Sequence, residues 1–493
     1  MQIVLDPRSV DSYRTFLNIK KLPAWNIRGR LATFPDEYAG RLGLAPPVVQ
    51  SSYQPEPFLF DYQADITRMA VEKRKFAVFA DCGLGKSLIL LSYARHVLES
   101  LPKDRRILII TPPMVVPQLL AEARRFWGED VPIFAVKAKD LQAWLNGKGK
   151  RGAIGVTNYE ALKRETEPGR LGALILDESG VLKSHYGNYA GICLHLGRGL
   201  EWKLCCTGTP APNDRIEYAN HAVFLDRFPT VNSFLAKYFV NRGQTGERWE
   251  LKPHALRPFY RSLSDWCIFL SNPTVYGWKD NSSSIPPIHV TIHEVPMTED
   301  QKQWVHRELG SLVATRAGGI TMRSAYGQVA KGFWKGRTFA TNKPQFIRDL
   351  IDGWRAKEST LTWCLYDNEQ DLVHAAIGGE SMSGKTAMKA RIGMIDRFKS
   401  RETDVLSSKP KILGFGLNLQ VATRQVFSGL QDSYEAYYQC VKRSNRIGST
   451  KPLNVHIPVT EIEEPMVENV LRKARRVEAD TREQESLFAE SRQ

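Results

Sequence analysis

Cysteine is scarce in this sequence, and no cysteines stand at the spacing of a metal site. The 493 residues include seven cysteines, and none of them forms a C-x-x-C pair. Disulfide scaffolds need an even, recurring set of cysteines, and structural zinc sites need clustered ones. The sequence therefore favours a reduced cytosolic protein without structural zinc.

Long apolar segments are also absent. No stretch reaches the uninterrupted length of a membrane span, and residues 1–7 do not have the composition of a signal peptide. The hydrophobic fraction of 42% and the charged fraction of 25% are those of an ordinary globular protein. A chain of this length exceeds a single core, so we expect at least two domains and a cytoplasmic location without a membrane partner.

Acidic residues are too few to balance the basic ones. Lysine and arginine number 68 against 53 aspartates and glutamates, which gives a formal net charge of +15 and a pI near 9.4. Such an excess favours a polyanionic partner, because neutralising phosphates releases counterions. It is equally typical of a basic soluble surface, so charge alone does not decide between the two.

A glycine-bearing loop between a predicted strand and a predicted helix is the most informative stretch. Residues 76–80 form a short apolar run, residues 80–87 read A-D-C-G-L-G-K-S, and an apolar helix pattern follows. Backbone N–H groups of such a loop and the helix N-terminus attract phosphate oxygens, so the sequence predicts a nucleotide site with ATP and Mg²⁺ as cofactors. Lys86 is expected to reach the terminal phosphates, and the Ser87 hydroxyl to hold the magnesium ion. The loop residues assigned to the nucleotide are Cys82, Gly83, Leu84, Gly85, Lys86 and Ser87.

Two positions on the base side of the nucleotide come shortly before this loop. Phe60 and Gln63 stand at the start of a predicted helix ahead of the first strand. An amide pairs with the edge of adenine while a ring covers its face, so both residues are predicted to bind the base.

Paired carboxylates end another predicted strand. Residues 174–176 are apolar and lead into Asp177 and Glu178. At the carboxyl edge of a parallel sheet these acids lie beside the phosphates. We expect Asp177 to complete the magnesium shell, and Glu178 to orient and deprotonate the attacking water.

Hydroxyl and amide side chains follow other strands in the same half of the chain. The candidates for nucleic-acid contact or for coupling are Thr111, Pro112, Asn158, Thr207 and Thr209. The two threonines of the T-G-T-P stretch at 207–210 either link the hydrolytic site to a moving element or cap the turn that follows.

A second stretch matches the phosphate-loop pattern letter for letter but lacks its context. Residues 379–386 read G-E-S-M-S-G-K-T, whereas residues 373–377 before them form only a weak strand pattern. No strand ending in paired acids follows. We therefore predict no second nucleotide site here.

The last part of the chain contributes a predicted strand and turn at 411–420 and a predicted helix at 437–448. Gly416 and Asn418 in the turn are assigned to nucleic-acid contact or coupling. On the helix, Gln439, Arg443 and Arg446 are spaced to share one face. An amide and two guanidiniums on one face suit the charge that develops on a transferred phosphoryl group, the arginine-finger role.

Alternating strands and helices predict an α/β fold with doubly wound parallel sheets. The expected division is an N-terminal accessory segment at 1–54, a first lobe at 55–225, a helical insertion with an interlobe linker at 226–335, a second lobe at 336–476 and a charged, frayed tail at 477–493.

Taken in order, these segments resemble superfamily 2 DNA translocases of the switch/sucrose-nonfermentable-like branch, and the compact size is similar to that of phage-type relatives. The resemblance covers about residues 56–475. It is carried by Gln63, the loop at 80–87, the Asp177-Glu178 pair, T-G-T-P at 207–210, G-L-N-L-Q at 416–420 and the segment 439–448. It implies two RecA-like lobes that flank ATP, with arginines of the second lobe completing the site of the first. Gly180 stands where the family has a histidine or another coupling residue.

The resemblance also implies the activity. It predicts a monomeric motor that hydrolyses ATP and is stimulated by DNA, with duplex or branched DNA favoured and single-stranded DNA as an alternative. The motor is expected to work in the cytoplasm, that of the bacterial host if a phage encodes it. A strand-separating helicase is one alternative. Another is a nucleotide-gated switch that binds nucleic acid without processive movement.

Overall fold

The computed structural model describes residues 1–22, 25–34, 36–44, 53–149, 153–183, 187–243, 249–280, 285–314, 319–354, 357–413, 417–430, 433–446 and 448–492. The chain divides into two compact units. Unit 1 comprises Met1–Asp280 and Asp480–Gln493, and unit 2 comprises Asn281–Ala479.

Unit 1 alternates strands and helices over most of its length. Its strands are β1 (Gln2–Val4), β2 (Asn26–Arg28), β3 (Leu31–Thr33), β4 (Lys75–Ala80), β5 (Arg106–Thr111), β6 (Ile133–Ala135), β7 (Ile154–Asn158), β8 (Leu171–Asp177), β9 (Trp202–Thr207), β10 (Phe239–Asn241), β11 (Trp249–Leu251) and β12 (Cys267–Leu270). Its helices are α1 (Val10–Lys20), α2 (Asp61–Lys73), α3 (Lys86–Ser100), α4 (Val115–Trp127), α5 (Leu141–Leu145), α6 (Asn188–Leu196), α7 (Tyr218–Phe224), α8 (Val231–Tyr238) and α9 (Leu256–Ser264).

A seven-stranded parallel sheet in the order β12-β4-β9-β8-β5-β7-β6 forms the centre of unit 1. Every residue of β5 and β9 is buried, as expected for strands that helices cover on both faces. The carboxyl ends of β4, β8 and β9 are neighbours, because β9 lies between the other two. The sheet therefore brings the residues after Ala80, Asp177 and Thr207 to one edge.

The N-terminal segment forms a small module within unit 1. Strands β1, β3 and β2 make an antiparallel sheet, and α1 lies between β1 and β2 in sequence. Ile19, Leu22 and Phe34 of this module belong to the same buried cluster as Phe79 of β4. The predicted accessory segment thus shares its core with the larger sheet.

Residues 226–280 complete unit 1, whereas the sequence assigned them to an insertion. Residues 259–270, whose aromatic-rich pattern predicts a helix, form helix α9 followed by strand β12, which pairs in parallel with β4 through Cys267 and Ala77. A short, fully apolar run has no periodicity that separates a buried strand from a buried helix, which explains the error.

Unit 2 contains the second parallel sheet. Its strands are β13 (Ile288–Glu294), β14 (Phe333–Trp334), β15 (Arg337–Thr338), β16 (Thr360–Trp363), β17 (Glu380–Met382), β18 (Val405–Ser408), β19 (Arg424–Phe427) and β20 (Leu453–Val459). Its helices are α10 (Glu299–Ala314), α11 (Gly319–Ala330), α12 (Lys343–Asp352), α13 (Asp367–Ile377), α14 (Met388–Lys399), α15 (Pro410–Leu413), α16 (Tyr434–Ser444) and the start of α17 (Glu464–Arg492). The sheet order is β13-β20-β19-β16-β18-β17, with all neighbours parallel. The predicted fold class of two parallel-sheet α/β lobes is confirmed.

Two predicted strands of unit 2 are wrong. Residues 373–377 belong to helix α13, in which Val373 packs in a buried cluster with Ile347. The stretch predicted as a strand from 411 begins in the short helix α15. Both segments are apolar runs of about five residues, for which length and composition do not distinguish the two states.

The C-terminal segment is helical instead of frayed. Helix α17 begins in unit 2, and its residues from Asp480 onward belong to unit 1. There Asp480 forms an ion pair with Arg215 over 2.6 Å, and Glu485 accepts a hydrogen bond of 2.9 Å from the Ser271 hydroxyl. The buried Phe488 ring meets Tyr276 edge-on. A few buried side chains in a mostly charged helix give too weak an apolar pattern to predict this packing.

Candidate functional site

The phosphate loop lies between β4 and α3, as predicted. Gly83 and Gly85 have φ values of 92° and 71°, which fall in the left-handed region that glycine adopts without strain. The Lys86 ammonium donates to the carbonyl oxygens of Ala80 at 2.8 Å and Asp81 at 3.2 Å. The 15-residue helix α3 begins at Lys86, so its N-terminal N–H groups face the loop and suit an anion.

Gln63 connects the base side to the phosphate loop. Its Oε1 accepts from the Phe60 backbone N–H at 3.0 Å, and its Nε2 donates to the Leu84 carbonyl at 3.4 Å. The Tyr62 hydroxyl donates to the same carbonyl at 3.1 Å. Gln63 is only 2% exposed, while the Phe60 ring is 43% exposed and stacks on Tyr62. The Phe60 ring is therefore partly exposed to solvent, while Gln63 is fixed against the loop.

The carboxylates of Asp177 and Glu178 are held by threonines from the neighbouring strands. The Thr111 hydroxyl donates to Asp177 Oδ2 at 2.8 Å, and the Thr207 hydroxyl to Glu178 Oε2 at 3.4 Å. The Tyr159 hydroxyl donates to the Asp177 carbonyl at 2.7 Å. Burial and the adjacent Glu178 raise the pKa of Asp177 to about 7, against the opposing effects of Thr111 and the Lys86 charge.

The T-G-T-P stretch lies against the phosphate loop. The Thr209 backbone N–H donates to the Thr207 hydroxyl at 3.2 Å. A Cβ added at Gly208 would stand 3.3 Å from the Ala80 carbonyl and 3.6 Å from Cys82 Sγ. The turn after β9 therefore contacts both the loop after β4 and the acidic pair after β8.

The donor set fits ATP with magnesium. Carboxylate and hydroxyl oxygens are the ligands that Mg²⁺ prefers, and Asp177 and Ser87 supply one of each. Within the described part of the chain, no three His, Cys, Asp or Glu side chains converge as a metal cluster. One or two protein ligands suffice for magnesium, because phosphate oxygens and water complete its shell.

In unit 2, Arg443 shares a helix with Gln439 as predicted, whereas Arg446 does not. Gln439 and Arg443 both lie on α16, where Arg443 Nη2 donates to Gln439 Oε1 at 2.6 Å. Arg443 is 3% exposed and also donates to the Gln439 and Leu417 carbonyls. Helix α16 ends at Ser444 with Asn445 extended, so Arg446 lies beyond the helix and does not share its face.

The residues assigned to nucleic-acid contact or coupling fall into two groups. Thr111, Thr207 and Thr209 are buried within unit 1, and their roles stay a prediction. Pro112 is half-buried, and the Asn158 side chain accepts from the Ala161 N–H at 2.9 Å as a cap.

Two further positions assigned to nucleic-acid contact or coupling, Asn418 and Gly416, come from the second half of the chain. Asn418 Oδ1 is buried without a hydrogen-bond partner in the part of the chain that the structure describes. Gly416 lies outside the described residues.

The second phosphate-loop pattern has a different local structure. Strand β17 lies inside the pattern, and Gly379 stands before that strand instead of after it. The Ser383 N–H donates to the Thr386 hydroxyl at 3.0 Å, and Arg391 Nη2 donates to the Gly384 carbonyl at 2.8 Å. The turn thus bonds some of its own polar groups, and the absence of a nucleotide site here stays a prediction.

Several residues that hold the site carry no sequence signal of their own. Tyr62 precedes Gln63, and Tyr159 follows Asn158. A tyrosine in such a position is common in protein cores and does not by itself indicate a functional site. His221 on α7 hydrogen-bonds Ser179, and 42 residues separate the two. Only the folded sheet brings such residues to the acidic pair.

No helix in the described ranges is long and apolar enough to span a membrane.

Two family models match the chain. A model described as an SNF2-related domain matches residues 69–338, and one described as a helicase conserved C-terminal domain matches residues 342–448. No curated protein matches. Among solved structures, the Sulfolobus solfataricus SWI2/SNF2 ATPase core in complex with dsDNA is similar over 88% of this chain and 96% of that chain, at 17% identity and a TM-score of 0.40.

Proposed function

Because the chain belongs to the SNF2-related domain family, we propose that it is a DNA-dependent ATPase that moves along duplex DNA. The observation that carries the proposal is a set of hydrogen bonds in unit 1. Gln63 bonds to the phosphate loop at Leu84, Thr111 holds Asp177, and Thr207 holds Glu178. The phosphate loop and the acidic pair follow neighbouring strands at one edge of the parallel sheet, which supports a nucleotide site there.

The phosphate loop and the acidic pair each have a role in the proposed hydrolysis. The loop N–H groups and Lys86 bind the phosphates, and Ser87 with Asp177 would hold magnesium. When bound, the magnesium ion neutralises charge on the phosphate oxygens. Glu178 accepts a proton from the attacking water and orients it in line with the terminal phosphoryl group.

The arginine-finger role is assigned to Arg446. The Arg443 guanidinium is buried and bonded to Gln439 and Leu417, so it is occupied in holding the end of α16. Arg446 is half-buried and stands two residues after the last residue of that helix. A finger that meets the phosphoryl group only in one conformation makes hydrolysis depend on the DNA-bound state.

Duplex DNA is the proposed track. The net charge of +15 favours a polyanion, and the translocases that the sequence resembles are DNA motors. The alternatives differ in measurable output: a helicase separates annealed strands, and a nucleotide-gated switch binds and releases without travel.

Displacement of a triplex-forming strand tests movement directly. The purified protein is given a duplex that carries a third strand, and release of that strand is followed with ATP, with a non-hydrolysable ATP analogue, and with the Glu178→Gln variant. We expect release only with ATP and wild-type protein. Release of an annealed strand from a forked duplex without triplex release would favour the helicase, and ATP-dependent binding without either release would favour the switch.

A further inference from the structure

The backbone at Glu178 adopts a conformation that its own residue type disfavours. Its φ is 48°, in the left-handed region where a side chain other than glycine costs about 1–2 kcal/mol. The direction of the Glu178 carboxylate follows from this turn. Tertiary contacts must therefore hold the turn in place.

One segment of unit 1 contacts both sides of this turn. Thr207, the last residue of β9, donates to the Glu178 carboxylate. Fourteen residues later, His221 Nε2 lies 3.1 Å from the Ser179 hydroxyl, the residue directly after Glu178. The segment 207–221 thus holds the turn at the carboxylate and at the next side chain.

His221 is also in contact with the strand that leads to the phosphate loop. The imidazole is fully buried, and the Phe79 ring meets it edge-on with ring centres 5.3 Å apart. Phe79 precedes Ala80, where the loop begins. Burial lowers the pKa of His221 to about 4, so the ring is neutral at pH 7 and forms an uncharged hydrogen bond with Ser179.

We propose that His221 is a positioning residue for ATP hydrolysis, which through its hydrogen bond to Ser179 holds the left-handed turn that orients Glu178 toward the attacking water. The inference rests on the proposed function, because it concerns the hydrolytic step. His221 bonds Ser179, which follows Glu178 in the chain, so it acts on the Glu178 carboxylate through the turn that the two residues share. Gly180 has no side chain with which to hold the turn, and helix α7 supplies the contact instead.

A purely structural role for His221 predicts a different pattern. Its neighbour Asn220 is a matched control, because it is also buried and donates from Nδ2 to the Leu182 carbonyl at 2.6 Å. Both side chains therefore fix α7 to the same segment after the acidic pair. His221 instead bonds Ser179, the residue adjacent to Glu178.

The test compares His221→Leu, His221→Gln and Asn220→Ala for ATP turnover, for KM of ATP and for thermal midpoint. The leucine fills the space but removes the hydrogen bond, while the glutamine amide keeps a polar atom where Nε2 stands. We expect His221→Leu to lower kcat about tenfold with KM unchanged, the size of one lost hydrogen bond in the transition state. His221→Gln is expected to restore kcat, and Asn220→Ala to stay within about twofold of wild type.

A double-mutant cycle isolates the hydrogen bond. Ser179→Ala and His221→Leu combined are expected to lower kcat no further than either alone, since both remove the same contact. Equal losses in His221→Leu, His221→Gln and Asn220→Ala, or losses that follow the thermal midpoint, would overturn the inference. Absence of ATP turnover in the wild type would instead contradict the proposed function, which distinguishes the two failures.

Discussion

Gly85 illustrates how closely the base side and the phosphate side of the site are packed. A Cβ at this position would stand 2.1 Å from Gln63 Nε2, and φ is 71°. Gly85→Ala must therefore displace the Gln63 amide and strain the loop. We expect the Kd for ATP to rise at least about tenfold, measured by titration with a fluorescent ATP analogue.

The control for this substitution is Gly199→Ala. Gly199 has a similar φ of 74°, but a Cβ there meets nothing within 4 Å. This variant should lose about 1 kcal/mol of stability and keep its affinity for ATP. Equal ATP binding by Gly85→Ala and wild type would contradict the proposed packing of Gln63 against the loop.

Arg446 and Arg443 are predicted to fail in different ways. Arg446→Ala should reduce DNA-stimulated kcat by about 10³-fold or more, the range of an arginine finger, with a smaller loss of thermal midpoint than Arg443→Ala. Arg443→Ala should destabilise unit 2 by about 1–3 kcal/mol, because it removes the buried hydrogen bonds to Gln439 and to the Leu417 carbonyl. Turnover and thermal unfolding of both variants decide this. Normal turnover in Arg446→Ala would return the role to Arg443.

The positions of the candidate site residues were predictable where chemistry and local pattern coincide. A lysine after a glycine loop and two acids at a strand end are together typical of a nucleotide site, and Lys86, Asp177 and Glu178 lie at the sheet edge where we expected them. Thr111 and Thr207 were recognised as candidates, but only burial and hydrogen bonds show that they hold the acids. His221 was not predictable, because its partner Ser179 is distant in sequence.

At the scale of elements, a buried charge cluster joins three segments of unit 2. Glu463, which precedes α17, forms ion pairs of 2.5 Å with Lys331 after α11 and with Lys343 at the start of α12. All three side chains are at most 1% exposed. Burial alone would raise the pKa of Glu463, but the two lysines outweigh it and lower the pKa to about 2.

Glu463→Gln is therefore expected to destabilise unit 2 by about 3–5 kcal/mol, because two buried ammonium groups lose their counter-charge. Glu299→Gln is the matched control. Glu299 pairs with Lys302 over 2.9 Å, yet its side chain is 76% exposed, so its loss should cost under about 0.5 kcal/mol. Urea unfolding of both variants measures the difference. Equal small effects would show that the buried cluster does not stabilise unit 2.

Elements were predictable in proportion to their length and regular pattern. Strands β4 and β8 are largely apolar runs between loops, and each begins within three residues of its predicted start. The predictions of a helix at β12 and of a strand at α13 are wrong, since both are short apolar runs whose state is fixed by the neighbours they pair with. The mutual position of β4, β8 and β9 follows from sheet order, which no local pattern contains.

At the scale of the whole molecule, each unit contains a histidine that we expect to become protonated only at acidic pH. Burial lowers the pKa of His221 in unit 1 and of His456 in unit 2 to about 4, with the neighbouring His293 adding to the effect on His456. A pKa lowered by folding means that the unfolded chain binds the proton more readily. Stability is then fully present above about pH 6.5 and is lost as pH falls from there toward 4.

We expect both units to lose stability in this window, His221 alone contributing about 3 kcal/mol. Denaturant unfolding at pH 7, 6, 5 and 4 measures the loss, and His221→Gln should flatten the curve for unit 1. His254→Gln is the control, because His254 is exposed. Identical curves for His221→Gln and wild type would contradict a buried neutral His221.

The division into two lobes was predictable at this scale, but its boundaries were not. Residues 226–280 return to the first sheet through β12, and α17 begins in one unit and ends in the other. These boundaries depend on contacts between residues far apart in sequence. Arg215 and Asp480, for example, form an ion pair across 265 residues.

Control of ATP hydrolysis at Glu178 by duplex DNA is the property on which the proposed function depends. Steady-state ATP turnover with and without duplex DNA, for wild type and for Glu178→Gln and Lys86→Ala, measures it directly. We predict strong stimulation by duplex DNA in the wild type, no turnover in either variant, and retained ATP binding in Glu178→Gln. Equal turnover of the wild type with and without DNA, or turnover that survives in Glu178→Gln, would contradict the proposed function.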